Sequence, residues 1–134
     1  QGYIKSKGKK QRQEAMLPPL EFVSESGFKI LVGRNNKQND KLTLKQSDKN
    51  DLWFHTKDIP GSHTVIVTEG KIPDDDTILF AAELAAYHSK ATEAGKVPVD
   101  FTKIRYVSKP QGSKPGMVIY TNQQTMFVAP KNKQ

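Results

Sequence analysis

Between Asp74 and Tyr87 the chain reads Asp-Asp-Asp-Thr-Ile-Leu-Phe-Ala-Ala-Glu-Leu-Ala-Ala-Tyr, and this segment limits every fold that contains it. Three leading carboxylates satisfy the free amide donors of a helix N-terminus and favour its dipole. The helix behind them is apolar nearly all round. It must be covered by a sheet, and its alanines allow close approach. Its end is expected between Ser89 and Gly95, where glycine suits a C-terminal cap.

The rest of the chain supplies that sheet in short pieces. Residues 20–25 and 28–33 are β-rich runs around Ser26-Gly27, a hairpin pattern. Arg34 to Asp40 reads as a polar loop, and Leu42 and Leu44 as a short helix capped near Asn39 or Asp40, with a strand as the alternative. Leu52-Trp53-Phe54-His55-Thr56 is a strand by aromatic content, Pro60-Gly61 a turn, and residues 63–68 the returning strand. Residues 99–107, 117–121 and 125–128 are three more, separated by turns at 110–116 and 122–124. The expected class is α+β, a mostly antiparallel sheet of about seven short strands with one long Ala-rich helix packed on one face.

A chain of 134 residues suits one domain with a real core. Residues 1–16 read as a basic linker, the fold as 17–130, and 131–134 as a basic tail. Pro18-Pro19 stops any incoming helix. A start at Gln1 points to a piece of something larger. No apolar stretch reaches the ~18 residues of a membrane span, so membrane insertion is not expected. The absence of cysteine excludes a disulfide scaffold and fits a reducing cytosol.

The net charge of +7 is unevenly spread. Lys5, Lys7, Lys9, Lys10 and Arg12 precede any acid, and Lys103, Arg105, Lys109 and Lys114 form a second acid-free stretch. Segregation of this kind points to a polyanion partner, against the alternative that basic ends only keep a domain soluble. The densest chemistry lies in residues 51–63. Strand alternation places Trp53, His55 and Lys57 on one face, with Leu52, Phe54 and Thr56 on the other. An indole, an imidazole and an ammonium in a row offer what single-stranded RNA needs, flat faces for bases and charge for phosphates. The structural alternative packs Trp53 under the helix and bonds His55 to a backbone carbonyl.

His55 and His63 could face each other across a turn, but without a third assured ligand they fall short of a zinc site. Ser62 and His63 are neighbours whose side chains diverge on a strand, and no glycine-rich loop matches a nucleotide fingerprint. Catalysis, metal and cofactor are therefore not expected. Two loops remain. Arg34, Asn35, Asn36 and Lys37 combine amides that can read base edges or a ribose hydroxyl with cations that can hold phosphate. Lys109 to Lys114 could lie along a phosphate backbone, or be a solvated hairpin tip.

These segments carry a resemblance. Gly33-Arg34-Asn35-Asn36-Lys37-Gln38-Asn39-Asp40 and Asp51-Leu52-Trp53-Phe54-His55-Thr56-Lys57-Asp58-Ile59-Pro60-Gly61-Ser62-His63 are similar to the NFACT-R domain. Ala81-Ala82-Glu83-Leu84-Ala85-Ala86-Tyr87-His88-Ser89, Val97-Pro98-Val99-Asp100-Phe101 and Lys114-Pro115-Gly116 continue the pattern in the same order. In the bacterial RqcH and fibronectin-binding protein A-like family, related to eukaryotic NEMF, this is the C-terminal domain, following a coiled coil. The resemblance implies an RNA-binding, non-enzymatic module of a cytoplasmic, ribosome-associated quality-control factor. Its implied partners are the large ribosomal subunit with its tRNA or rRNA, and the whole protein supports alanine tailing of stalled chains. The resemblance tips Arg34, Trp53, His55 and His63 toward function, and with the reading of the residues the candidate RNA-binding set is Arg34, Asn35, Asn36, Lys37, Trp53, His55, Lys57, His63, Lys109 and Lys114. The alternative it carries is a bacterial surface module that binds fibronectin or fibrinogen.

Overall fold

The computed structural model describes residues 17–91 and 95–133. The basic residues before Leu17 lie outside the described residues. Strands β1 (Leu20–Val23) and β2 (Lys29–Val32) form the expected hairpin, joined at Gly27 with φ +95. Helix α1 (Asn36–Lys41) follows and runs on into a π-helical stretch, Leu42–Gln46. Next come β3 (Leu52–Thr56), β4 (Thr64–Val67), α2 (Asp75–Tyr87) and β5 (Val97–Lys103). After a 3-10 turn at Ile104–Tyr106, β6 (Val107–Ser108), β7 (Ile119–Tyr120) and β8 (Gln124–Val128) complete the chain.

The class is α+β, and every strand pairing is antiparallel. Six strands build one sheet in the order β1-β2-β4-β3-β5-β8, while β6 and β7 form a small second sheet. The expected strand over residues 99–107 breaks at Ile104, where the chain turns away to start that second sheet. Helix α2 has 13 residues, an ordinary length. Asp74 caps it as expected, its carboxylate accepting from Thr77 N–H and from the hydroxyls of Ser26 and Thr77.

Both faces of the sheet are covered, and this decides the fate of the aromatic strand. On one face Ile30, Val32, Phe54, Ile66 and Val99 pack against Ala81, Ala82, Leu84, Ala85 and Ala86 of α2. The other face carries a smaller core of Trp53, Val65, Leu42, Ile104 and Val107. Alternation assigned Trp53 and Phe54 to opposite faces correctly. The pairing register places Leu31, Val65, Trp53 and Thr102 in one row across four strands. That row is roofed by the α1 segment and the small sheet.

The polar stretch 34–40 is therefore a correction to the sequence reading, since most of it is helix. Asn35 is the cap: its Oδ1 accepts from Gln38 N–H at 2.8 Å, and Gln38 Oε1 reaches back to accept from Arg34 N–H at 2.7 Å. This reciprocal pair resembles a capping box, and its Asn-x-x-Gln spacing was visible in the sequence. Asn39 is buried beneath, and a Cβ on Gly33 would collide with it. Only glycine lets the end of β2 pass that close.

Candidate nucleic-acid interface

Trp53 is fully buried and presents no face to a ligand. Its ring stacks on His55 at 5.7 Å, meets His63 edge-on at 5.3 Å and touches Tyr120 at 4.7 Å. The expected base-stacking role is thus corrected: the indole is a core residue, although it lies under the small sheet rather than under α2. His55 is half-buried, and its Nδ1–H donates to the Thr56 carbonyl at 2.7 Å, as the structural alternative required. Burial lowers its pKa, opposed by the Thr56 and Gly61 backbone and by Asp100.

His63 is also fully buried, so it stacks on no base. A carbonyl can only accept, so Nε2–H donates to Gly116 O at 3.0 Å, and Nδ1 accepts from the Thr43 hydroxyl at 2.7 Å. Burial pushes its pKa from 6.5 down to about 4, reinforced by His55 and Lys109 and opposed by Gly116 and Asp40. The two imidazoles do face each other, edge-on at 5.5 Å, but no third ligand joins them in a metal-binding group among the described residues.

Lys109 is occupied as well. Its ammonium sits 3.2 Å from Asp40 Oδ2 and donates to the carbonyls of Lys114 and Met117. Asp40 Oδ1 accepts from Gly116 N–H at 3.0 Å. His63, Asp40 and Lys109 together clamp the Lys114-Pro115-Gly116 turn against α1. Gly116 has φ +87, and a Cβ there would come within 2.8 Å of Asn36 Oδ1, so the turn and the helix meet through a glycine. Lys57 is exposed, 3.9 Å from the buried Asp100 carboxylate, which also accepts from Tyr120 and Thr125 hydroxyls at 2.6 Å each.

The clamp creates a cleft of about 950 Å³ between α1, the turn and the incoming chain. Asn35, Asn36 and Lys37 line it from the helix and Lys114 from the turn, four of the residues expected from sequence. Lys41, Gln38 and Gln46 join them, and Leu17, Pro18, Pro19 and Pro115 add apolar surface. Gln38 fell in the stretch read as a loop, and Lys41 and Gln46 in the short helix expected after it, whose start was placed too late to join them to Lys37. At helical spacing Lys37 and Lys41 share one face, a signal the sequence did contain. Arg34 stands at the edge, its Nε donating to Pro18 O at 2.6 Å. Three ammonium groups and no carboxylate line the cleft among the described residues. Such a site attracts a polyanion, and its amides and apolar floor can receive bases.

A family model described as the NFACT protein RNA binding domain matches residues 19–122. The chain belongs to that family. The match covers both walls of the NFACT RNA-binding domain's cleft, leaving only Leu17 and Pro18 outside it. The Rqc2 homolog RqcH of Bacillus subtilis is 51% identical over 131 residues, which is 96% of this chain and 23% of that protein. The Rqc2 homolog RqcH of Streptococcus pneumoniae strain R6 is 41% identical over 133 residues, 99% of this chain and 24% of that protein. The domain thus spans about a quarter of the length of these relatives. The solved C-terminal part of the fibronectin/fibrinogen-binding protein from Streptococcus suis superimposes with a TM-score of 0.81 at 48% identity, covering 86% of this chain and 46% of that one. The described residues contain no helix long and apolar enough to cross a membrane.

Proposed function

We propose that the chain is the RNA-binding module of a ribosome-associated quality-control factor, and that RNA lies in the cleft between α1 and the Lys114-Pro115-Gly116 turn. One observation carries the reading: Lys37, Lys41 and Lys114 converge there with amide side chains and, among the described residues, no carboxylate. The family and the RqcH relatives support it. The module binds and does not catalyse. Its RNA is tRNA or rRNA of the large ribosomal subunit in the cytoplasm, and in the whole protein it supports C-terminal alanine tailing.

Titration of the domain against labelled tRNA at several salt concentrations tests this. Each lost phosphate contact lowers the log–log salt slope by about 0.7 on a single strand. Lys37→Ala with Lys41→Ala and Lys114→Ala then lowers it by about 2, which at about 0.15 M salt is roughly fiftyfold in affinity. A folded triple variant that binds like the parent rejects the site.

A second reading is binding of fibronectin or fibrinogen by strand addition at a sheet edge. It is favoured by the name of the Streptococcus suis neighbour and by edge strand β8, where Phe127 is 66% exposed. Saturable fibronectin binding that persists at high salt and is lost in Phe127→Ser supports a surface role. Binding that vanishes with salt rejects it.

A further inference from the structure

The cleft has a continuation on the far side of Asn35 and Asn36. There a second cleft of about 390 Å³ is lined by those two residues together with Arg34, Ser62, Ser89 and Lys90. Its far wall is two backbone segments held side by side. Lys90 N–H donates to Pro60 O at 2.8 Å, Ser62 N–H donates to His88 O at 3.0 Å, and Gly61 forms a bridge with Ser89 between them. A Cβ on Gly61 would come within 2.9 Å of the Ser89 Cβ, so this contact also depends on a glycine. The wall fixes the backbone of Lys90 and leaves its ammonium exposed, with no hydrogen bond or ion pair among the described residues.

Arg34 stands opposite. Its Nε is held by Pro18 O, and its two Nη groups have no partner among the described residues. Asn36 and Ser62 likewise make no side-chain hydrogen bond there. No carboxylate lines this cleft among the described residues. The site is concave, cationic and supplied with free amide and hydroxyl groups. That suits an unpaired strand, whose bases and phosphates can enter a depression, better than the convex surface of a duplex.

We propose that a single RNA strand runs through both clefts, crossing the Asn35–Asn36 ridge and placing a further phosphate between Arg34 and Lys90. This rests on the RNA-binding reading above and adds to it a path, a strandedness and a residue, Lys90, that lies outside the basic stretches. The Pro60-Gly61-Ser62 turn then serves RNA indirectly, by holding Lys90 in place.

The test is fluorescence anisotropy of the domain with labelled oligouridylates from about two to twelve nucleotides, spanning the site sizes of single-strand binders. Lys90→Ala removes an exposed side chain and leaves every backbone bond of the wall in place. It lowers the salt slope on long oligomers by about 0.7, roughly fourfold in affinity at about 0.15 M salt, and leaves the shortest oligomers unaffected. Lys90→Glu weakens long oligomers further, while Lys71→Ala, at the opposite end of the sheet, changes nothing. If the Lys37, Lys41 and Lys114 variant loses binding but Lys90→Ala and Lys90→Glu match the parent at every length, the continuation is wrong and the first cleft stands. If the parent binds no RNA of any length, both fall.

Discussion

Acid should unfold this domain through His63, and the size of the effect follows from where that ring sits. The unfolded imidazole titrates near 6.5, whereas in the folded chain burial holds it to about 4. Between those values the unfolded chain binds a proton that the native chain refuses, so stability falls as pH falls. The contribution is intact above about 6.5 and is lost progressively down to about 4. One pH unit of displacement is worth 1.36 kcal/mol, so His63 alone removes about 3 kcal/mol across that window. Against a typical total of roughly 5–15 kcal/mol that is a large fraction. His55 and His88 are also lowered by burial and act in the same direction. Asp74, held down to about 2 by Ser26 and Thr77, adds a loss only near the bottom of that window, and it acts equally in a variant that changes His63 alone.

The clean comparison is His63→Gln. A glutamine amide can still donate to Gly116 O and accept from Thr43, but it has no proton to gain. Urea unfolding is followed at several pH values between about 7.5 and 4. At neutral pH the variant is the less stable, because the ring contact with Trp53 is lost. Toward pH 4 the gap closes by about 3 kcal/mol, since only the parent suffers the protonation. Parallel pH profiles for the two proteins would refute the reasoning. They would mean that the imidazole opens to solvent before it titrates.

Asn35→Asp keeps a cap acceptor for Gln38 N–H but sets a negative charge on the ridge between the clefts; melting temperature is expected to hold while RNA affinity drops. Trp53→Ala should cost about 3–5 kcal/mol in urea unfolding, whereas Trp53→Phe costs less, because the indole N–H is buried without a partner and no hydrogen bond is lost. Folded Trp53→Phe should bind RNA like the parent, and a selective loss would return the indole to the interface. Burial and the adjacent Asp100 raise the pKa of Tyr120, so its phenol should supply a late component of an ultraviolet alkaline titration, lost in Tyr120→Phe. A titration of Tyr120→Phe that lacks an early component instead would contradict this.

The elements were legible wherever one physical rule acted alone. The hairpin at Ser26-Gly27, the aromatic β3 and the acid-led α2 follow from turn chemistry, alternation and capping. The α1 segment was not, because its Asn and Asp residues favour turns by composition, and the helix depends on a cap four residues before Asn39 and on Asn39 itself being buried under Gly33. The site suffered a related error. Alternation correctly put Trp53, His55 and Lys57 on one face, but period two says which face a residue shares and not whether that face meets water. Only the long-range return of residues 104–120 to cover it decides that. Lys90 was invisible for the same reason, since its cleft exists through a backbone bridge to Gly61.

Charge counted along the chain also differs from charge that a ligand can use. In the basic stretch 103–114, Lys109 is held by Asp40 and Arg105 by Asn50, and in the tail Lys131 and Lys133 pair with Glu83. Lys114 is left exposed, facing Lys37 and Lys41. In that stretch the paired Lys109 helps hold the turn, while the exposed Lys114 faces the cleft. His63 shows why the arrangement works. A neutral buried ring can hold Gly116 and Thr43 together without adding charge to the core, so the turn carrying Lys114 is fixed before any RNA arrives. In the proposed binding mode RNA orders little more than the lysine heads, and each ordered side chain costs only about 0.5–1.5 kcal/mol. A domain of this size can therefore hold a polyanion with few contacts, provided the frame beneath them, a neutral His63 and the Asp40–Lys109 pair, carries no net charge.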